Sequence, residues 1–125
     1  MAAISQSLED YLEAIYVLET ERHSAQVRDV AKALEVTMPS VVRAIRELVK
    51  LGYATHEPYA DIMLTTKGRK IARRVTGLHM LLRTFLEKLG VARRTADRDA
   101  CLMEHILSAE TIDKIRGFTE GMGAR

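Results

Sequence analysis

In the segment CLMEHILS, Cys101, Glu104 and His105 stand at i, i+3 and i+4, which on a helix places a thiolate, a carboxylate and an imidazole on one face. All three are competent ligands for first-row divalent metals. A second carboxylate pair at i, i+3, Asp10 and Glu13, lies in LEDYLEAIY near the other end of the chain. Three donors leave a metal site incomplete. Asp10 and Glu13 complete it if the first helix packs against the later ones, and His79 is a further candidate. Each residue also has a plainer role. Asp10 stands three residues after Ser7 and fits a capping box, Cys101 fits a small buried apolar residue, and His79 fits an interfacial histidine. One such role is ordinary; all of them together require several coincidences.

Between these groups the apolar spacing defines the elements that must position them. Leu8, Tyr11, Leu12, Ile15, Tyr16 and Leu18 predict a first helix with Ser7 as its N-cap. Val27, Val30, Ala31 and Leu34 predict a short second helix after the polar RHSAQ stretch. Thr37 caps a third helix with Pro39 in its first turn, Val41, Val42, Ile45, Leu48 and Val49 form its apolar stripe, and Gly52 ends it. Strand-like residues 53–55 and 62–64 flank a turn containing Pro58 and read as a hairpin. Helix, turn, helix and hairpin make a winged helix-turn-helix.

Beyond it, Thr66 caps a long helix whose stripe is Ile71, Val75, Leu78, Leu82, Phe85 and Leu89. Gly90 closes that helix, and Thr95 caps the next one, over residues 96–107, which carries the Cys, Glu and His set. Ser108 starts a last helix through Ile112, Ile115 and Phe118, and the tail GMGAR is expected to fray. The predicted fold is therefore mainly α. A winged helix-turn-helix DNA-binding domain occupies residues 1–66, and a helical dimerisation and metal-binding lobe occupies residues 67–125.

A helix that enters the major groove needs short or hydrogen-bonding side chains near its N-terminus and basic residues on its outward face. Thr37, Met38, Pro39, Ser40 and Arg43 fill the first role, and Arg46 and Lys50 suit phosphates. The stretch KGRKIARR carries Lys67, Arg69, Lys70, Arg73 and Arg74 with no acid among them, which offers further phosphate contacts at the root of the wing. A solvated basic face is the alternative for either group.

Composition agrees with a folded soluble chain: 125 residues, 47% apolar and 29% charged, enough for one compact domain or two small lobes. The net charge of +2 hides the segregation just described. No run of about 18 apolar residues predicts a membrane span, and the N-terminus lacks a basic start and an apolar signal core, so a cytoplasmic location is expected. The lone cysteine excludes an internal disulfide.

Taken together, SLEDYLEAIYVL, VRDVAKALEVTMPSVVRAIREL, LTTKGRKIA, GLHMLLRTFLEKLGV and DACLMEHILS resemble the diphtheria-toxin-repressor family of metal-dependent transcriptional repressors, including its manganese-transport-regulator branch. The resemblance covers nearly the whole chain. It implies a homodimer formed by the fourth to sixth helices, with Mn(II) or Fe(II) as corepressor on palindromic double-stranded operator DNA. The family's ligands fall on Asp10, Glu13, His79, Cys101, Glu104 and His105.

Iron-sensing relatives place methionine at the position of Asp10, and the best-known manganese sensor places glutamate at that of Cys101, so the donor set is a hybrid that leans to manganese. Arg83 stands where the iron branch's ancillary site needs a carboxylate. The C-terminal SH3-like domain of that branch is not expected, because the chain stops soon after the sixth helix. Two alternatives of other kinds are a metal-independent winged-helix regulator that senses oxidants through Cys101 and a metal-dependent hydrolase.

Overall fold

The structure is a computed structural model that describes residues 4–123. It contains six helices and one two-stranded sheet among the described residues. The chain divides into two compact units, one ending at Arg74 and the other beginning at Val75.

In the first unit, α1 (Gln6–Arg22) buries Tyr11, Leu12, Ala14, Ile15 and Leu18. Its N-cap is Ser5, whose hydroxyl accepts from the Leu8 amide at 3.2 Å, not Ser7 as the periodicity suggested. The correction bears on Asp10. With the helix starting at Gln6, Asp10 lies in the second turn and cannot complete a capping box. The second helix, α2 (Val27–Leu34), occupies the predicted range, and Glu35 ends it at a φ of 56°. Next, α3 (Met38–Lys50) is capped by Thr37, which accepts from the Ser40 amide at 3.3 Å, and it buries Val41, Ile45 and Leu48. Val42 and Val49, assigned to the same stripe from sequence, are exposed.

The wing is shorter than its sequence signal. β1 (Ala54–Thr55) pairs antiparallel with β2 (Met63–Leu64), in the register Ala54 to Leu64 and Thr55 to Met63. Tyr53 and Ile62 instead serve the core, where both are buried together with Leu12, Ile15, Val30 and Leu48. The helix that follows, α4 (Thr66–Lys88), is capped by Thr65 rather than Thr66. The Thr65 hydroxyl accepts from the Gly68 amide at 3.1 Å and donates to the Gly52 carbonyl at 2.7 Å, and the Thr65 amide reaches the Tyr53 carbonyl at 3.1 Å. One residue thus joins the end of the hairpin to the start of the long helix.

In the second unit, Val75 and Leu82 of the α4 stripe are buried and Leu89 is exposed. Gly90, at a φ of 101°, ends the helix, as a left-handed residue after a helix terminus should. The fifth helix, α5 (Arg93–Met103), starts before Thr95 without a side-chain cap and stops before Leu107. Glu104 is its C-cap and His105 lies in the turn beyond. The last helix, α6 (Ala109–Gly123), opens as predicted on Ser108, whose hydroxyl accepts from the Thr111 amide at 3.2 Å. The expected fraying of the tail meets a helix that runs to Gly123; the side chain of Met122 and residues 124 and 125 lie outside the described residues. Phe85 and Phe118 meet edge to face with ring centroids 6.1 Å apart.

Gly68 is where close approach demands glycine, since a Cβ there would overlap the carbonyl of Tyr53. Gly68→Ala is expected to push α4 off the hairpin and to destabilise the first unit by about 1–3 kcal/mol, the usual range for overpacking, read as a lower urea midpoint.

Candidate metal centre and nucleic-acid surface

The outward face of α3 follows from its stripe. With Val41, Ile45 and Leu48 turned into the core, Met38, Pro39, Arg43, Arg46 and Lys50 are exposed, and Thr37 and Ser40 share a 2.9 Å hydroxyl contact at the helix start. At the root of the wing, Lys67 and Arg69 part company. Lys67 stays at the surface with its ammonium 5.0 Å from the centre of the Tyr53 ring. Arg69 is half-buried and pairs with Glu19 at 2.8 Å. The other Glu19 oxygen accepts from the Leu64 amide of β2 at 3.2 Å, so this carboxylate fastens α1 to both the wing and α4.

Sequence reasoning did not single out Glu19, whose i+4 and i+7 distance from Ile15 and Leu12 hides it beside the core stripe. It also passed over Tyr59, which is fully exposed at the wing tip at a φ of 62°. The sequence offered only an aromatic residue beside Pro58 in the predicted turn as a signal.

In the second unit, one carboxylate organises the candidate ligands. The Glu104 side chain is only 1% exposed, and its oxygens lie 3.3 Å from His79 Nδ1 and 3.4 Å from His105 Nε2. Neither oxygen makes a hydrogen bond among the described residues. Local structure explains the placement: α5 stops at Met103, so Glu104 caps the helix in α conformation, its amide still bonded to the Ala100 carbonyl at 3.0 Å, while the His105 amide bonds Leu102 in a tighter turn. The expected single helical face therefore becomes a helix end plus a turn, which still sets Glu104 beside His105. Cys101 sits half-buried in the last turn of α5. In the first unit, Asp10 and Glu13 stand one turn apart on α1, both half-buried.

His79 has a second carboxylate neighbour. Its Nε2 lies 2.7 Å from Asp97 Oδ1, and Arg83 approaches Asp97 at 3.5 Å and Glu87 at 3.6 Å. The hydrogen bond to His79 lowers the pKa of Asp97 below the ordinary carboxylate value, with the charges of His79 and Arg83 in support and partial burial in opposition. Asp97 thus remains ionised and can only accept. Its position one turn before Cys101 was legible in the sequence and was not used.

The donors fit a divalent cation. A buried carboxylate with both oxygens free of hydrogen bonds, set beside two imidazoles, is costly unless positive charge joins it. Carboxylate and imidazole are donors that manganese and iron accept, and thiolate adds affinity for the softer metals.

Known proteins resemble the chain over both of its units. A family model described as iron dependent repressor, N-terminal DNA binding domain, matches residues 3–62. A second, iron dependent repressor, metal binding and dimerisation domain, matches residues 65–122. The HTH-type transcriptional regulator MntR of Geobacillus kaustophilus is 43% identical over 109 residues, 87% of this chain and 77% of its own.

Among solved structures, T. acidophilum IdeR aligns with a TM-score of 0.78 at 26% identity, over 92% of this chain and 54% of its own. A manganese-dependent transcriptional repressor in complex with manganese aligns with a TM-score of 0.76 at 26% identity, over 90% of this chain and 52% of its own. The chain spans about half the length of those two solved chains.

A winged DNA-binding domain followed by a helical metal-binding and dimerisation domain defines a metal-responsive transcriptional regulator. The chain belongs to the iron-dependent repressor family, also called the diphtheria-toxin-repressor family, in its MntR-like branch. It is a regulator and not an enzyme, which sets the hydrolase alternative aside. No helix among the described residues is long and apolar enough to cross a membrane.

The α3 cap is directly testable. Thr37→Ala is expected to cost about 0.5–2 kcal/mol of stability in urea denaturation of the metal-free protein, because the Ser40 amide loses its acceptor.

Proposed function

We propose that this chain is a cytoplasmic, manganese-activated repressor of metal-homeostasis genes that binds a palindromic operator as a homodimer. The observation that carries this reading is the buried Glu104 carboxylate with an imidazole on either side and no hydrogen bond to either oxygen. His79, Cys101, Glu104 and His105 supply donors from the helical lobe, and Asp10 and Glu13 supply carboxylates from α1. A bound divalent cation would contribute the charge that offsets the three carboxylates of this proposed ligand set. Without it, Asp10, Glu13 and Glu104 repel one another and α1 is not held.

The functional division falls between residues 66 and 67. On one side Thr37, Met38, Pro39, Ser40 and Arg43 read base edges and Arg46 and Lys50 serve the phosphate backbone, to which Lys67 and Arg69 add from just beyond the division, Arg69 through its hold on Glu19 and the wing. On the other, Met80, Leu89, Leu102, Ile106 and Phe118 are exposed apolar side chains of the helical lobe that a second copy would cover. Fixing α1 to that lobe fixes the spacing of two winged domains, which is what a palindrome measures. Shifting the lobes from about 1% to about 99% competent takes about 5.5 kcal/mol of differential binding, within reach of a site with several ligands.

The deciding experiment is binding of chelator-stripped protein to its own upstream DNA at fixed salt, titrated separately with Mn(II), Fe(II), Co(II) and Zn(II). Retention that requires metal, strongest at physiological Mn(II), is the expected result. Binding that persists in chelator and is lost on peroxide treatment would instead select oxidant sensing through Cys101. Glu104→Ala is expected to abolish the metal-dependent increment while leaving weak, salt-sensitive DNA binding in place.

The DNA face separates into two kinds of contact. Arg43→Ala is expected to cost about 1–3 kcal/mol on the operator and to relax its sequence preference. Lys67→Ala is expected to weaken all sequences alike and to reduce the slope of log affinity against log salt by about 0.9. Filter binding over a salt series measures both.

A further inference from the structure

The His79 ring is gripped from both sides, and only one side belongs to the ligand set proposed above. Nδ1 faces Glu104 Oε2 at 3.3 Å, and Nε2 meets Asp97 Oδ1 at 2.7 Å, the shortest polar contact that the ring makes among those described. Asp97 lies on α5, one helical turn before Cys101, and its carboxylate is in turn approached by the Arg83 guanidinium at 3.5 Å. Arg83 stands one turn after His79 on α4, three-quarters or more buried, and also meets Glu87 at 3.6 Å. The sequence Arg83, Asp97, His79, Glu104 therefore alternates cation, carboxylate, imidazole and carboxylate within one unit.

An ionised carboxylate can only accept, so the partner of Asp97 must be a protonated Nε2. In the neutral ring the remaining nitrogen, Nδ1, then carries the lone pair, and that lone pair points to the side where Glu104 lies. Two acceptors facing each other across 3.3 Å repel unless a cation joins them. A carboxylate behind a ligating imidazole fixes both its tautomer and its rotation and makes the ring a better donor.

We propose that Asp97 is a positioning residue for the metal site, holding His79 with Nε2 protonated and Nδ1 presented as a metal donor, and that Arg83 holds Asp97 in place. Asp97 itself touches no metal in this arrangement. The inference rests on the reading of His79 as a ligand, and its test separates the two. It also gives Arg83 a task. The guanidinium is a permanent positive charge set behind the ring, where it orients an anion and takes up the space and the carboxylate that another ion would need.

The test uses the full-length chain in four forms: wild type, Asp97→Ala, Asp97→Asn and His79→Ala. Mn(II) affinity is read from the free-ion EPR signal at fixed pH and salt. The tautomer of His79 is read from the ring nitrogen shifts of the 15N-histidine-labelled protein loaded with Cd(II), a diamagnetic divalent cation, with the signal assigned by its loss in His79→Ala.

Wild type loaded with Cd(II) is expected to show a single ring protonated at Nε2. Asp97→Ala is expected to show a tautomer mixture and Mn(II) binding about 10–100-fold weaker, at unchanged helix content by circular dichroism. Asp97→Asn, whose amide oxygen can still accept from Nε2, is expected to keep the tautomer and lose less affinity. A merely structural role would leave the nitrogen shifts alone. Asp97→Ala binding within twofold of wild type while His79→Ala binds weakly would overturn the positioning role and leave the metal reading standing. His79→Ala binding as tightly as wild type would overturn the metal reading and this inference with it.

Discussion

A carboxylate that is 1% exposed and makes no hydrogen bond needs a compensating charge, and the helical lobe is arranged around that need at Glu104. Two imidazoles face it, at 3.3 Å and 3.4 Å. The place is set by where α5 ends. Had the helix continued to Leu107, Glu104 and His105 would have pointed in directions fixed by helical geometry, some 100° apart around the axis. Ending at Met103 lets the backbone tighten, with the His105 amide reaching back only three residues to Leu102. The site is thus a product of helix termination as much as of ligand spacing.

In the first unit the equivalent role belongs to α1. One of its faces supplies Leu12 and Ile15 to the core, both fully buried, and another carries Asp10 and Glu13. Its last turn holds Glu19, which grips the Leu64 amide and the Arg69 guanidinium together. Any constraint on Asp10 and Glu13 therefore acts on a rigid element already bonded to the wing and to the first turns of α4. No flexible relay is needed: the helix is short, well packed, and fastened at both ends, by the Ser5 cap and by His23 at a left-handed φ of 61°. Within this unit, moving α1 means moving the wing.

Much of this was legible in the sequence, and the failures share a cause. The range of α2, the cap and proline of α3, and Val41, Ile45 and Leu48 of its stripe follow from period and chemistry that agree with each other. Caps went wrong where two candidates stood close together, Ser5 against Ser7 and Thr65 against Thr66, since a hydroxyl becomes a cap only if its own backbone leaves the helix. The end of α5 was missed because apolar spacing continues smoothly through Leu102, Ile106 and Leu107 into a turn. Asp97 and Glu19 were missed for another reason: their meaning lies in partners 18 and 45 residues away, at His79 and Leu64, which periodicity does not encode.

The choice of metal turns on donors that pull in different directions. Intrinsic affinity rises from manganese through iron and cobalt toward zinc for almost any set of nitrogen, oxygen and sulfur ligands, so a site that responds to manganese must win by geometry and availability, not by strength. In the proposed site, carboxylates at Asp10, Glu13 and Glu104 would provide hard oxygen donors suited to manganese, which do not penalise the other metals. Cys101 provides a soft donor that steepens the natural order toward zinc. What the structure sets against this is rigidity. His79 is fixed between two carboxylates and Glu104 is held at a helix terminus, so the donors have little freedom to contract into a tetrahedron around a small, sulfur-loving ion. Within the proposed site, half-buried Cys101 is therefore the donor whose softness works against a manganese response, and the carboxylate of Glu104 is the one that works for it.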